Sequence, residues 1–170
     1  WVVNRNRKRG AEFAAAMSRR FDIPVRLADD VEAAVRAADI VITATSAHTP
    51  LFDGGWLRPG CHINAIGSHL PSAQEVDSRT VRRATVVTDQ TSACLAEAGD
   101  LIVPLRAGEI DESHIHAEIG QIVAGERAGR TSADEITFFK SVGLAVQDVA
   151  VARLILDKAQ AAGIGAPLEE

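Results

Sequence analysis

Short apolar runs alternate with helical segments along this chain, and one run is apolar at consecutive positions rather than at every second one. That run is Asp39-Ile40-Val41-Ile42-Thr43-Ala44-Thr45. A strand of this kind calls for cover on both faces, the situation of a central strand in a parallel sheet wrapped by helices. The remaining segments keep the same rhythm. Trp1-Val2-Val3-Asn4 reads as a strand leading into a helix from about Arg7 to Arg20, and Ile23-Pro24-Val25-Arg26-Leu27 as a second short strand. Asp29-Asp30 is placed to cap a helix ending near Ala37. Cys61 to Ile66 reads as a further buried strand, Val76 to Arg83 as a short helix, and Ala84 to Thr88 as a strand whose following Asp89 caps a helix to about Ala98. Ile115, Ile119 and Ile122 share helical spacing, which predicts a helix from Ile115 to Ala124, ended by Gly125. Ile136 to Ser141 returns as a strand, and Leu144 to Ala162 as a long amphipathic helix stopped by Gly163, Gly165 and Pro167.

The 170 residues suit one domain, and a hydrophobic fraction of 46% supplies material for a core. A net charge of −5 without a clustered basic patch argues against a nucleic-acid surface. No apolar stretch reaches the roughly 18–20 residues that span a bilayer. Cys61 and Cys94 fall in strand-like and helix-like runs, which suits free thiols in a reducing cytoplasm better than a disulfide framework.

Four segments fall at the carboxyl ends of the expected strands, the edge where open α/β sheets bind ligands. Asn4-Arg5 occupies the position where an acidic residue contacts a dinucleotide's ribose, and where arginine accommodates a 2′-phosphate. A surface arginine beside a helix-capping asparagine fits the same residues. Thr43-Ala44-Thr45-Ser46 has side chains small enough for a cofactor to approach the backbone, or simply ends a strand with hydroxyls. Asn64 to Pro71 carries His69 to that edge, where imidazole could move a proton near neutral pH or stand solvated in a loop. Ser141-Val142-Gly143-Leu144 passes through glycine to a helix amino terminus and offers N–H groups to an anion or amide; a plain tight connection fits as well. His114-x-His116 lacks a third ligand at matching spacing, so we assign no metal. Glu97, Asp100, Glu118 and Asp134-Glu135 read as caps and solvated faces. The chain also lacks a nucleophile elbow and a phosphate loop of the Gly-x-x-x-x-Gly-Lys kind.

Five segments in fixed order resemble the ornithine cyclodeaminase/mu-crystallin family. They are Trp56-Leu57-Arg58-Pro59-Gly60, Asn64-Ala65-Ile66-Gly67-Ser68, Ala96-Glu97-Ala98-Gly99-Asp100-Leu101, Gly129-Arg130-Thr131-Ser132 and Phe139 to Ala145. The resemblance implies a Rossmann-like, mostly parallel, doubly wound sheet that binds NADP or NAD, here without its first strand and glycine-rich loop. It assigns residues 1–145 to an incomplete nucleotide-binding domain. Residues 146–170 become a helix and tail leading back to a substrate and dimerisation domain. Asn4 and Arg5 match adenosine-end positions, with Arg5 suggesting NADP. Thr43, Ala44, Thr45 and Ser46 match the loop along the nicotinamide ribose, and Val142, Gly143 and Leu144 the segment near the nicotinamide ring. His69 stands where cyclodeaminases carry a catalytic aspartate, and a histidine can donate a proton to an imine as hydride arrives.

The resemblance therefore implies a cytoplasmic homodimer that reduces small α-imino acids or oxidises small α-amino acids. Two alternatives remain open: an ornithine cyclodeaminase that releases ammonia with its cofactor recycled, and a mu-crystallin-like protein that holds NADP without turnover. The 170 residues alone are expected to bind cofactor weakly and catalyse nothing. The strands near Val2 and Val41 are expected either to close against each other or to have the space between them filled.

Overall fold

The computed structural model describes residues 1–166. Five short strands make one all-parallel sheet: β1 (Ile40–Thr43), β2 (His62–Ala65), β3 (Thr85–Thr88), β4 (Ile115–Glu118) and β5 (Thr137–Lys140). Their spatial order is β1-β2-β5-β3-β4, with Ile63 opposite Phe138 and Phe138 opposite Val86. Because every pairing is parallel, Thr43, Ala65, Lys140, Thr88 and Glu118 end on one edge. This is the α/β architecture expected.

The helices are α1 (Arg7–Phe21), α2 (Val31–Ala37), α3 (Ser78–Arg83), α4 (Thr91–Glu97), α5 (Gly99–Arg106), α6 (Ile119–Val123) and α7 (Ala145–Ala162). Short polar side chains start several of them, as N-cap chemistry requires. Asn6 accepts from Arg9 N, Asp30 from Ala33 N and Asp77 from Thr80 N. Residues of α2, α3, α4 and α5 pack on one face of the sheet, where Ile63, Ala65, Val86 and Phe138 form the core with Val35, Val81, Cys94 and Leu101.

Several expectations are corrected. The first two strands shrink to one parallel bridge, Val2 with Leu27, held by Val2 N to Arg26 O and Ala28 N to Val2 O, both 2.8 Å. Gly10 lets α1 approach this bridge, since a Cβ there would lie 2.6 Å from Leu27 Cδ1. Among the described residues Val2 does not pair with β1, so those strands have not closed together. β1 itself is not buried on both faces: it lies at the edge of the ladder, with Ile40 59% and Ile42 64% exposed.

The stretch expected as one helix from Ile115 divides into β4 and α6, because Ile115 to Glu118 find ladder partners on β3 before the backbone turns. Helix α5, which carries Pro104, lies in a stretch the apolar periodicity left unassigned. Helix α7 forms with the expected bounds and a left-handed Gly163 cap, yet none of its residues is buried. Pro167, expected to help stop it, lies outside the described residues.

Candidate functional site

The strand tips at the carboxyl edge are tied together by buried carboxylates. Glu75 has no solvent exposure and accepts four hydrogen bonds. Thr45 N and Thr45 Oγ1 each donate to Oε1 at 2.6 Å, while Gly67 N at 2.9 Å and Ser68 N at 3.2 Å donate to Oε2. The loops after β1 and β2 thus meet on one side chain. Gly67 is needed for this approach, because a Cβ there would stand 2.5 Å from both Glu75 oxygens and from Thr45 N.

Asp89 does the same for the loop after β5. It was expected to cap α4, but Gln90 holds that position without a side-chain bond. The Asp89 carboxylate instead accepts from Ser141 Oγ at 2.7 Å and from Val142 N and Gly143 N at 3.0 Å each. It also accepts from Cys94 Sγ at 3.1 Å. Burial pushes the Asp89 carboxyl up, but the Ser141 hydroxyl, the Cys94 thiol and the Gln90 and Gly143 amides outweigh it and hold the group below its ordinary range. Burial drives the Cys94 thiol to about 12, with Asp89 adding to the rise, and also raises Cys61. Neither thiol is a nucleophile near neutral pH.

Between these two clamps lies a buried ion pair. Lys140 and Asp100 are both fully buried, with Nζ 2.8 Å from Asp100 Oδ2 but without the alignment of a hydrogen bond. Lys140 Nζ donates to Ser68 O at 2.7 Å, and Asp100 Oδ1 accepts from Glu75 N and Val76 N. Asp100, expected on a solvated face, is therefore an internal counter-charge. Glu118 does cap: it is the N-cap residue of α6, where its N–H donates to Gln121 Oε1 at 3.0 Å, and its side chain also accepts from Thr91 N at the start of α4.

The expected site residues fall as follows. Thr43 ends β1 and Ala44, Thr45 and Ser46 follow it, His69 follows β2, and Val142, Gly143 and Leu144 follow β5, all at the carboxyl edge. His69 is exposed, and its Nδ1 lies 3.2 Å from Gly67 O. A carbonyl only accepts, so Nδ1 carries the hydrogen and Nε2 stays free. Asn4 accepts from Asn6 N, and Arg5 is exposed at the end of the Val2 bridge. The amides of Val142 and Gly143 are corrected: Asp89 takes both, so they are not offered to a ligand. His114 and His116 direct Nε2 to the carbonyls of Val81 and Ala128, and among the described residues no cluster of three ligating side chains occurs.

The edge carries small side chains and one open backbone position. Gly143 has φ +86° and open space where a Cβ would stand, which leaves its backbone approachable. Ala44 and Ser46 are small and exposed, and the Thr43 hydroxyl is buried without a partner. A separate cavity of about 740 Å³ lies on the other sheet face, lined by His62, Asn64, Thr137, Phe139, Ile119 and Arg130. No helix among the described residues is long and apolar enough to cross a membrane.

Sequence reasoning missed Glu75, Asp89 and the Asp100–Lys140 pair. One signal was available, since Lys140 alternates with Phe138 and so shares the buried face, where a lysine demands a counter-charge.

Comparison with known proteins supports the same architecture. The chain is 44% identical over 169 residues to a Delta(1)-pyrroline-2-carboxylate reductase of Bacillus cereus, covering 99% of this chain and 52% of that protein. A Thermococcus litoralis Delta(1)-pyrroline-2-carboxylate reductase, solved with NADH and L-proline, superposes with a TM-score of 0.93 at 43% identity, covering 98% of this chain and 51% of that one. An archaeal alanine dehydrogenase dimer with bound NAD superposes with a TM-score of 0.87 at 33% identity, with 98% and 51% covered. The chain thus spans about half the length of the relatives it matches. The model of the ornithine cyclodeaminase/mu-crystallin family matches residues 2–163, and the chain belongs to that family.

Proposed function

We propose that this chain is the dinucleotide-binding part of a reductase that converts small cyclic α-imino acids, of the pyrroline-2-carboxylate class, into amino acids. One observation carries the reading: the loops bearing Thr45, His69 and Gly143 converge at one sheet edge, bound to each other through Glu75, Lys140 and Asp89. When bound, NAD(P)H supplies the hydride for the imine carbon. Ala44, Ser46 and the open Gly143 backbone give that cofactor a close approach. With the His69 Nδ1–H kept on Gly67 O, a second proton carried on Nε2 passes to the imine nitrogen as hydride arrives, which leaves the neutral Nδ1–H ring, and water replaces that proton. Arg5, exposed beyond the Val2 bridge, serves the adenosine end and favours a 2′-phosphate.

In this reading residues 1–145 hold the cofactor, and residues from 146 onward lead to a substrate domain and a homodimer contact. The exposed Val146, Val149, Leu154 and Leu156 of α7 support that contact. Two buried free cysteines suit a cytoplasmic setting.

The test is consumption of NADH or NADPH by the intact protein with Δ1-pyrroline-2-carboxylate. We expect steady turnover, a fall of about 10²–10⁴-fold in kcat for His69→Ala, and a weaker preference for NADPH in Arg5→Ala. Ammonia release from ornithine without net cofactor consumption would overturn the proposal.

A further inference from the structure

We propose that Glu75 is a positioning residue that sets the distance between the cofactor-facing loop after β1 and the loop that carries His69. The inference rests on the function proposed above. Four donors from two separate loops meet on its two oxygens, Thr45 N and Oγ1 on one and Gly67 N and Ser68 N on the other. One carboxylate thus serves as a spacer of fixed length between backbone segments about twenty residues apart in the chain.

The spacer itself is anchored. Its backbone N–H donates to Asp100 Oδ1 at 2.7 Å, and its carbonyl accepts from Leu51 N at 2.9 Å. Asp100 pairs with Lys140, whose ammonium donates to the Ser68 carbonyl, so the His69 loop is gripped at the two peptide groups that flank the Ser68 Cα. His69 follows Ser68 directly, so any movement of the Gly67–Ser68 amides carries the imidazole with it. Hydride transfer and protonation must meet at adjacent atoms of one substrate. An error of about an ångström between the two loops can cost roughly 10²-fold in rate.

The experiment uses Glu75→Gln in the intact protein, with Glu75→Asp beside it. Glutamine exchanges one acceptor oxygen for an NH2 group, which strands Thr45 N if it stands beside Thr45, whose hydroxyl can turn to accept, or both Gly67 N and Ser68 N if it stands on the other side. We expect kcat with NADPH and Δ1-pyrroline-2-carboxylate to fall by about tenfold or more. The KM for NADPH should move by less than about threefold, because the cofactor contacts are spread over several segments. Amide hydrogen exchange at Thr45, Gly67 and Ser68 should quicken together, while the buried strand amides of Val86 and Phe138 keep their protection.

An unchanged kcat with the three amides still protected would overturn the proposal. So would an equal loss of protection at Val86 and Phe138, which marks a general weakening of the fold. Glu75→Asp keeps the charge but shortens the reach, so it should retain the fold and quicken the same three amides to a smaller degree. It decides the matter if the glutamine variant does not fold. The exchange measurement needs no substrate. Failure of the wild-type protein to reduce the imine would therefore sink the proposed function while the loop coupling is still read directly.

Discussion

Neighbouring residues on the central strands meet very different surroundings. Ile63, Ala65, Val86, Phe138 and Lys140 have no solvent exposure on the face packed by α2, α3, α4 and α5. His62, Asn64, Thr137 and Phe139, one position away, are only half-buried beside the open cavity, and Ile40 and Ile42 are mostly exposed. Among the described residues, α6 and the segment around Gly129 and Arg130 are what line that second face. The contrast separates two tasks. The packed face holds the strands in register and, through Lys140 and Asp100, fixes the loops at the carboxyl edge. The open face adds little to that frame.

The largest expected effect lies on the packed face. Asp100→Ala leaves the Lys140 ammonium buried without its counter-charge and removes the acceptor for the Glu75 and Val76 amides. It should cost about 3–5 kcal/mol in denaturant unfolding. A cost below about 1 kcal/mol would mean that water reaches the pair and that this face is not the closed one.

Phe138→Ala and Phe139→Ala test the two faces within one dipeptide. The first should lose about 3–5 kcal/mol, the usual range for a fully buried phenylalanine, and the second markedly less. Equal losses in thermal and chemical unfolding would erase the contrast.

Asp89→Asn tests the edge between them. The carboxylate's hydrogen bonds should make the substitution cost about 1.5–3 kcal/mol at neutral pH. Asp89 titrates below its ordinary 3.8 in the folded chain, so its charge stabilises the fold at pH values above that figure. That benefit is lost as pH falls through the depressed folded value. The gap between wild type and variant should therefore narrow below about pH 4, and a gap that widens in acid would contradict the assignment.

The smallest effect belongs to the open face. Ile42→Thr should stay within about 0.5 kcal/mol, measured by urea unfolding of the 170-residue chain. A larger loss would show that β1 is covered in solution.

Much of this arrangement was legible in the residues, and what was not has identifiable causes. Parallel strands and the shared edge followed from apolar runs separated by helical segments, and Asn6 and Asp30 cap helices as their spacing suggests. Both-face burial of β1 did not hold, because a run of consecutive isoleucines and valines reports apolarity and not which helices reach it. The 115–124 stretch misled for a related reason. Ile115, Ile119 and Ile122 have helical spacing, yet the pairing of Ile115 and Ala117 with β3 decides the first four residues. That positions 43–46, 67–69 and 141–144 lie at the carboxyl edge was legible from their place at or after strand ends. Their fastening was not, because Glu75 and Asp89 act through contacts 30 and 54 residues distant in the chain. Isolated acidic residues in a polar stretch give no periodic signal for that.

Gly67 and Ser68 are secured through their own backbones, whereas the exposed imidazole next to them is held only by Nδ1 on the Gly67 carbonyl, with Nε2 toward solvent. The scaffold therefore divides holding from choosing. Under the proposed function, exchanging the group at position 69 would alter the proton chemistry at the rim and leave the Glu75 contacts of Gly67 and Ser68 undisturbed, so one framework could be retuned among related reactions by a single replacement.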